Sequence, residues 1–553
     1  MILQALIFIL AGLAHAASIA SPWDGQPVWW LQLLAMGVLA WQLDDIAHSS
    51  ALATPATRRK RAAWLGWLFT TAWLCGTFWW LFVAMHTYAG LAAPLTALAI
   101  LALAGVLALY YAGVCALFVA VVPVNRALSA IIFGAIWMLA EMARGTWLTG
   151  FGWGAAGYAH LEGLSVLAPY IGAYGVGAIA AMVAYGVASS LRAVLATGTG
   201  GGKRRLQAGL LAVGLPVLIA VTASGALSSR GDGIDKMART IKPLDIALLQ
   251  GNIAQDEKFQ PGTGIADSLR WYGQQISAST ASLVVAPETA IPILPHQLPE
   301  GYWDALAQRF TPLGGKQALL IGIPLGSYTQ GYTNSVIGFK PQSAVTSTAT
   351  PSTPPAQPSS VYRYDKHHLV PFGEFIPPLF KWFTQMMNIP LGDFNRGAVG
   401  QPSFEWQGQR LAPHVCYEDL FGEELAARFL DGPTSPTIFV NVSNIGWFGN
   451  TVAIDQHLSI ARMRALEFER PFIRATNTGA TVVIDYTGKV THTLPRHTRG
   501  VMLAQVQGRS DTEANGWGIT PFAWWAARFG LWPLWIFGVG VVVLATLRGR
   551  RLI

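Results

Sequence analysis

Apolar positions along this chain follow two rhythms. From residue 2 to about 228 they form long unbroken runs; from about 229 to 528 they form short runs split by polar, Gly and Pro positions. The runs at 2–20, 27–43, 63–85, 91–122, 127–143, 164–196 and 206–228, with an eighth at 530–547, each come near the ~20 residues that carry a helix across a bilayer. The longest, 91–122 and 164–196, exceed one hydrocarbon thickness and must tilt or project from it. Ala14-His15-Ala16 has the form of a signal-peptidase site, but no basic stretch precedes the first run, which is expected to remain as a helix.

In the second region ten β-rich runs are expected as strands: 244–249, 282–286, 318–323, 335–339, 361–365, 411–415, 438–442, 472–475, 481–485 and 501–506. Helical patterns lie between them at 264–279, 302–310, 421–430 and 454–470. The last has Ile454, His457, Leu458, Ala461, Leu466 and Phe468 as a core-facing stripe. Such alternation predicts an α/β layered domain. The expected organisation is a seven-helix membrane domain over 1–228, an α/β domain over 229–528, and a final membrane helix with a basic tail over 529–553. Within the α/β domain, 341–360 is Pro-, Ser- and Thr-rich and uncharged, a disordered excursion between two strands.

Composition agrees with lipid. The 553 residues are 52% hydrophobic and 12% charged, where soluble domains carry roughly 25% charged residues. The net charge of +8 is concentrated in Arg58-Arg59-Lys60-Arg61, Arg126, Lys203-Arg204-Arg205 and Arg548, Arg550, Arg551. Each cluster follows an even-numbered segment, which places those loops in the cytoplasm and the α/β domain outside, in a bacterium the periplasmic side of the inner membrane. The same clustering argues against nucleic acid as a partner. Cys75 and Cys115 lie in apolar segments, where packing accounts for them; only Cys416 lies outside. His367, His368, His414 and His457 lack metal-ligand spacing, so neither metal nor other cofactor is expected.

Cys416 ends the apolar run Leu411–Val415, and Glu418-Asp419 with Phe421-Gly422 opens a turn and helix behind it. A nucleophile at such a bend is accessible, and the next backbone N–H can face a reacting carbonyl oxygen. A small buried thiol is the plain alternative. Glu288 follows the strand at 282–286, and Lys366 follows that at 361–365, with Glu374 eight residues on. Alone, each fits a surface charge. Glu141 and Arg144, one helical turn apart before Trp147–Trp153, read as an ion pair anchoring a helix end or as the base of a loop lining a lipid entrance. Trp447 and Phe448 read as core or as a pocket wall.

Glu288, Lys366 and Cys416 at the ends of three strands, in that order, resemble the Glu–Lys–Cys triad of the nitrilase (carbon–nitrogen hydrolase) superfamily, which implies an αββα sandwich. Further motifs narrow the likeness: Gln250-Gly251-Asn252-Ile253, Pro287-Glu288-Thr289, Pro371-Phe372-Gly373-Glu374, Cys416-Tyr417-Glu418 and Asn444–Gly449, beside about eight membrane segments. Together these resemble the apolipoprotein N-acyltransferase family over nearly the whole chain. The resemblance implies Cys416 as nucleophile, Glu288 as general base, and Lys366 with the Tyr417 N–H as oxyanion donors. It also implies supporting or substrate-binding roles for Glu374, Tyr417, Glu418, Phe259, Asn444, Trp447 and Phe448. Phe259 stands where the family usually has Trp, which keeps an aromatic wall without an indole N–H. The implied reaction moves an acyl chain from a phospholipid, usually phosphatidylethanolamine, to the α-amine of a diacylated apolipoprotein. A membrane-tethered amidase, with water as acceptor, and a transporter or receptor are the rival readings. Acyl transfer to an amine requires that water be kept out, and the apolar stretch 379–387 is expected to be either a mobile arm that dips toward the bilayer beside Cys416 and admits acyl chains or a buried packing segment.

Overall fold

The computed structural model describes residues 2–49, 54–123, 125–195, 242–342, 361–376, 393–509 and 518–550, with a few helical residues between 206 and 218. Most of the 206–228 segment, the 343–360 part of the expected excursion and the 379–387 arm therefore lie outside the described residues.

The N-terminal region is helical: α1 (Ile2–Ile19), α2 (Trp29–His48), α3 (Pro55–Phe78), α4 (Ala93–Val121), α5 (Arg126–Thr146) and α6 (Ala168–Leu195). Among the described residues, four helical stretches are long and apolar enough to cross a bilayer: Ile2–Ile19, Ala93–Val121, Arg126–Thr149 and Ser165–Leu195. α3 starts earlier than hydropathy suggests. The Thr54 hydroxyl accepts from the Thr57 N–H and Pro55 occupies the first turn, so Arg58–Arg61 enter the helix instead of preceding it. α2, α5 and α6 are clamped at one end by Asp44, which accepts from Arg126, the Tyr185 hydroxyl and Arg192.

Among the described residues, twelve strands form two six-stranded sheets. The first contains β1 (Leu244–Gln250), β2 (Leu283–Val285), β3 (Ala318–Ser327), β4 (Gly331–Phe339) and β5 (Tyr362–Asp365). The second contains β6 (Phe404–Trp406), β7 (Gln409–Val415), β8 (Ile438–Ser443), β9 (Phe472–Thr476), β10 (Val482–Ile484) and β11 (Val490–Thr493). The last strand, β12 (Gly500–Val506), returns to the first sheet and pairs antiparallel with β1. β1, β2 and β3 run parallel, as do β7, β8 and β9, with antiparallel strands outside them. Alternate side chains of both sheets, Leu248, Val285 and Leu320 against Val415, Val440 and Ile473, form the core between them. α7 (Ala266–Ala278) and α8 (Tyr302–Phe310) cover the first sheet. α9 (Gly422–Ala426), α10 (Ala453–Phe468) and α11 (Pro521–Phe529) cover the second, completing an αββα sandwich. α11 meets the final helix α12 (Trp532–Arg550) at 88°.

α10 is buried on more than the expected stripe. Gln456, Met463, Arg464 and Glu467 are also buried, because the helix lies between the second sheet and the membrane helices. The Gln456 side-chain oxygen accepts from two indoles, Trp80 Nε1 at 2.9 Å and Trp153 Nε1 at 2.7 Å. The apolar core of the membrane helices continues without a break into Tyr417, Phe421, Ile445, Ile454 and Met463.

Glu141 and Arg144 do not form the expected ion pair. Glu141 accepts the Ala156 N–H at 2.7 Å, while Arg144 donates to the Tyr111 hydroxyl and to the carbonyls of Phe151 and Trp153. The loop folds back over the helix end and offers each charge a backbone partner.

Candidate active site

Cys416 follows β7 with φ at +51°, a left-handed conformation that costs a non-glycine residue of order 1–3 kcal/mol. Its surroundings hold that bend. The Cys416 carbonyl accepts from Asn441 Nδ2 at 3.2 Å and from His457 Nε2 at 3.1 Å. His457 Nδ1 accepts from Arg474, which leaves the proton on Nε2 to reach Cys416. Arg474 and His414 bond to the buried Asp419 carboxylate. Burial opposes that charge, but Arg474 and His414 hold Asp419 well below the usual carboxylate range.

The strands after which the sequence puts Glu288 and Lys366 bring them to the same end of the sandwich. Lys366 Nζ lies 2.8 Å from Glu374 Oε2 and 3.6 Å from Glu288 Oε1. Glu288 Oε2 accepts the backbone N–H of Asn444 at 2.8 Å. Burial alone would lower the Lys366 ammonium, yet the Glu374 and Glu288 carboxylates hold it above its ordinary value. Cys416 is half-buried. Burial, with the Glu288 charge adding to it and Lys366 opposing it, pushes its thiol up to about 12. At neutral pH such a thiol stays protonated unless a neighbouring group accepts its proton.

Glu418 is a brace. Its carboxylate accepts from the Tyr364 hydroxyl, from the N–H groups of His367 and His368 just after Lys366, and from the Val415 N–H just before Cys416. Tyr417 donates its hydroxyl to the Gly150 carbonyl, joining the bend to the loop after α5. Phe448 packs on Trp80 with ring centroids 4.3 Å apart, and Trp447 meets Tyr88 edge-on at 5.8 Å. Both aromatics thus lie against the membrane region. Phe259 is half-buried. Among the described residues no group of His, Cys, Asp and Glu has the form of a metal site.

Two residues escaped the sequence reading. Asn334 Nδ2 donates to both Glu288 Oε1 (2.7 Å) and Glu374 Oε1 (2.6 Å), holding two carboxylates side by side. It lies in the polar first half of β4, between Thr333 and Ser335, where nothing in the local pattern set it apart. Lys258, only 1% exposed, donates to the Glu288 carbonyl at 3.0 Å.

Residues 3–186 match the family model of the apolipoprotein N-acyltransferase N-terminal domain, and 245–513 match that of carbon–nitrogen hydrolases. The apolipoprotein N-acyltransferase of Verminephrobacter eiseniae is 55% identical over 532 residues, spanning 95% of this chain and 92% of that one. The chain belongs to the apolipoprotein N-acyltransferase family. The Ralstonia nicotianae member is 41% identical over 98% of this chain and 92% of its own, and the Bordetella bronchiseptica member 39% over 99% and 97%. Both family models thus fall on the two regions seen here, the helical one and the sandwich.

Proposed function

We propose that this chain acylates lipoproteins at the bacterial inner membrane with its sandwich on the periplasmic side. It takes an acyl chain from a phospholipid, phosphatidylethanolamine first, and passes it through a Cys416 thioester to the α-amine of an N-terminal diacylglyceryl-cysteine. The observation that carries this reading is the left-handed bend that sets the Cys416 thiol in the opposed fields of Glu288 and Lys366.

In the first half-reaction Glu288 accepts the thiol proton, Sγ attacks the ester carbonyl, and the lysophospholipid alkoxide leaves, taking a proton. The Lys366 ammonium and the Tyr417 N–H bear the negative charge on the tetrahedral oxygen; losing one such donor typically costs ~3–4 kcal/mol of barrier. In the second, the lipoprotein amine attacks the thioester and the thiol is restored, a ping-pong cycle. Glu374 and Asn334 keep Glu288 and Lys366 in register, and Glu418 ties the Lys366 loop to the bend. The apolar continuity between the Cys416 surroundings and the membrane core favours an amine acceptor over water, since a dry site protects a thioester. The basic clusters at 58–61, 126 and 548–551 support the orientation.

Intact-protein mass spectrometry after mixing with phosphatidylethanolamine tests this. One added fatty-acyl mass is expected, absent in Cys416→Ala and discharged by a diacylated peptide. Free fatty acid released at the full rate without any amine would replace this reading with hydrolysis.

A further inference from the structure

The carbonyl and the N–H of one peptide unit serve opposite sides of the Cys416 bend. The Cys416–Tyr417 peptide is trans, so the Cys416 C=O and the Tyr417 N–H point in opposite directions. Two side chains fix the first: Asn441 Nδ2 donates to the Cys416 carbonyl at 3.2 Å and His457 Nε2 at 3.1 Å. Asn441 alternates along β8 with Val440 and Val442, which face the first sheet, and so shares with Phe439 the face that α10 covers. His457 reaches the carbonyl from α10 itself. The carbonyl is thus drawn toward the helices, which turns the Tyr417 N–H toward the first sheet, after whose strands Glu288 and Lys366 stand.

Both donors are themselves held. Asn441 Nδ2 also donates to Asp419 Oδ1 at 3.1 Å, and Arg474 donates to His457 Nδ1 at 3.0 Å. A guanidinium cannot accept, so Nδ1 carries the lone pair and Nε2 the proton, which also lies 3.3 Å from Asp419 Oδ2 on its nitrogen. These four residues are at most 1% exposed. Cys416 is strained, and relaxing its φ from +51° to a negative value would swing the next peptide and carry the Tyr417 N–H off its line. The two donors oppose that swing.

We propose that His457, together with Asn441, is a positioning residue of the oxyanion site: by holding the Cys416 carbonyl toward α10 it aims the Tyr417 N–H at the oxygen of the bound ester. As Sγ adds to the ester carbon, a C–S bond forms and the C=O π pair moves to that oxygen. On collapse the pair returns, the C–O bond breaks, and the alcohol leaves with the proton that Glu288 took from Sγ. The aimed N–H matters only while the oxygen is charged, so His457 acts on acyl transfer and not on the reactivity of the thiolate as such. The proposal rests on Cys416 as the nucleophile and deepens that reading.

The test compares two reagents on the full-length protein in detergent. p-Nitrophenyl butyrate acylates Cys416 through a tetrahedral oxyanion, whereas iodoacetamide alkylates it by direct displacement, with none. Both adducts are read on the Cys416 peptide by mass spectrometry, the first also as released p-nitrophenolate. His457→Leu should slow acylation about 10²-fold, as loss of one oxyanion donor does, and alkylate at the wild-type rate. His457→Gln, which restores an N–H donor, should recover about tenfold of that loss. Asn441→Leu should repeat the split, and it decides the matter if His457→Leu does not fold. Equal slowing of both reactions would mean that the network only seats the thiol, and overturns the proposal; so does wild-type acylation in the Leu variants. The split in a protein that takes no acyl chain from phospholipid would leave the proposal standing while the acyltransferase reading fails.

Discussion

Replacing Glu418 by Gln removes one charge and turns one acceptor oxygen into a donor. Oε1 accepts from His367 N–H (2.7 Å) and His368 N–H (3.2 Å), Oε2 from Val415 N–H (2.6 Å), and both from the Tyr364 hydroxyl, which can rotate to accept instead. An amide nitrogen in the Oε1 position strands two backbone donors; in the Oε2 position it strands one. The second arrangement is cheaper, and its penalty falls on Val415, the residue before Cys416. A buried donor left without an acceptor costs about 1–3 kcal/mol, and loss of charge assistance in the remaining bonds adds about 1 kcal/mol. A total of about 2–4 kcal/mol corresponds, for a sandwich of this size, to a fall in Tm of about 3–7 °C. Since misplacing a reacting group by about 1 Å can cost 10²-fold in rate, acyl-adduct formation on Cys416 should slow by about that factor. Thermal melting in detergent and timed intact-mass measurements read the two quantities. A Glu418→Gln protein with unchanged Tm and unchanged acylation rate would refute the brace.

Lys366→Ala leaves Glu288 and Glu374 facing each other without their shared cation, so acylation should slow about 10²–10³-fold while phospholipid binding persists, as comparison of adduct formation with lipid co-purification would reveal. Asp419→Asn strips Arg474 of its carboxylate and should cost about 3–5 kcal/mol at pH 7. Because the Asp419 pKa is depressed in the folded chain, its contribution is present above the unfolded value of about 3.9 and is lost as pH falls below that. Melting curves from pH 7 down to 3 should therefore show the gap to wild type closing only at the acid end.

The placement of Glu288 and Cys416 just past strands was legible because each follows an apolar run, whereas Lys366 follows the alternating Val361–Asp365, where aromatic and β-branched residues marked the strand. The missing strands had no such run: β6 is Phe-Glu-Trp and β11 is Val-Thr-His-Thr, sheet-edge segments defined by their neighbours. Charges defeated the periodicity reading where tertiary structure supplied partners. Arg58–Arg61 looked like a loop although Thr54 and Pro55 marked a helix start, and Glu141 with Arg144 looked like a pair although a returning loop satisfies each. Lys258 and Asn334 carry no local mark of their role, because what distinguishes them is proximity to Glu288 from distant parts of the chain.

Gln456 and His457 are consecutive on α10. The first holds the indoles of Trp80 and Trp153, in the loops that follow α3 and α5, and the second holds the carbonyl of Cys416. The height of the sulfur above the helices is therefore set by a stiff rod and not by a tether. In the proposed reaction a hydrophobic tail would have no journey through solvent to make, because the Cys416 bend and the roof of the bundle are fastened to neighbouring rungs of the same ladder.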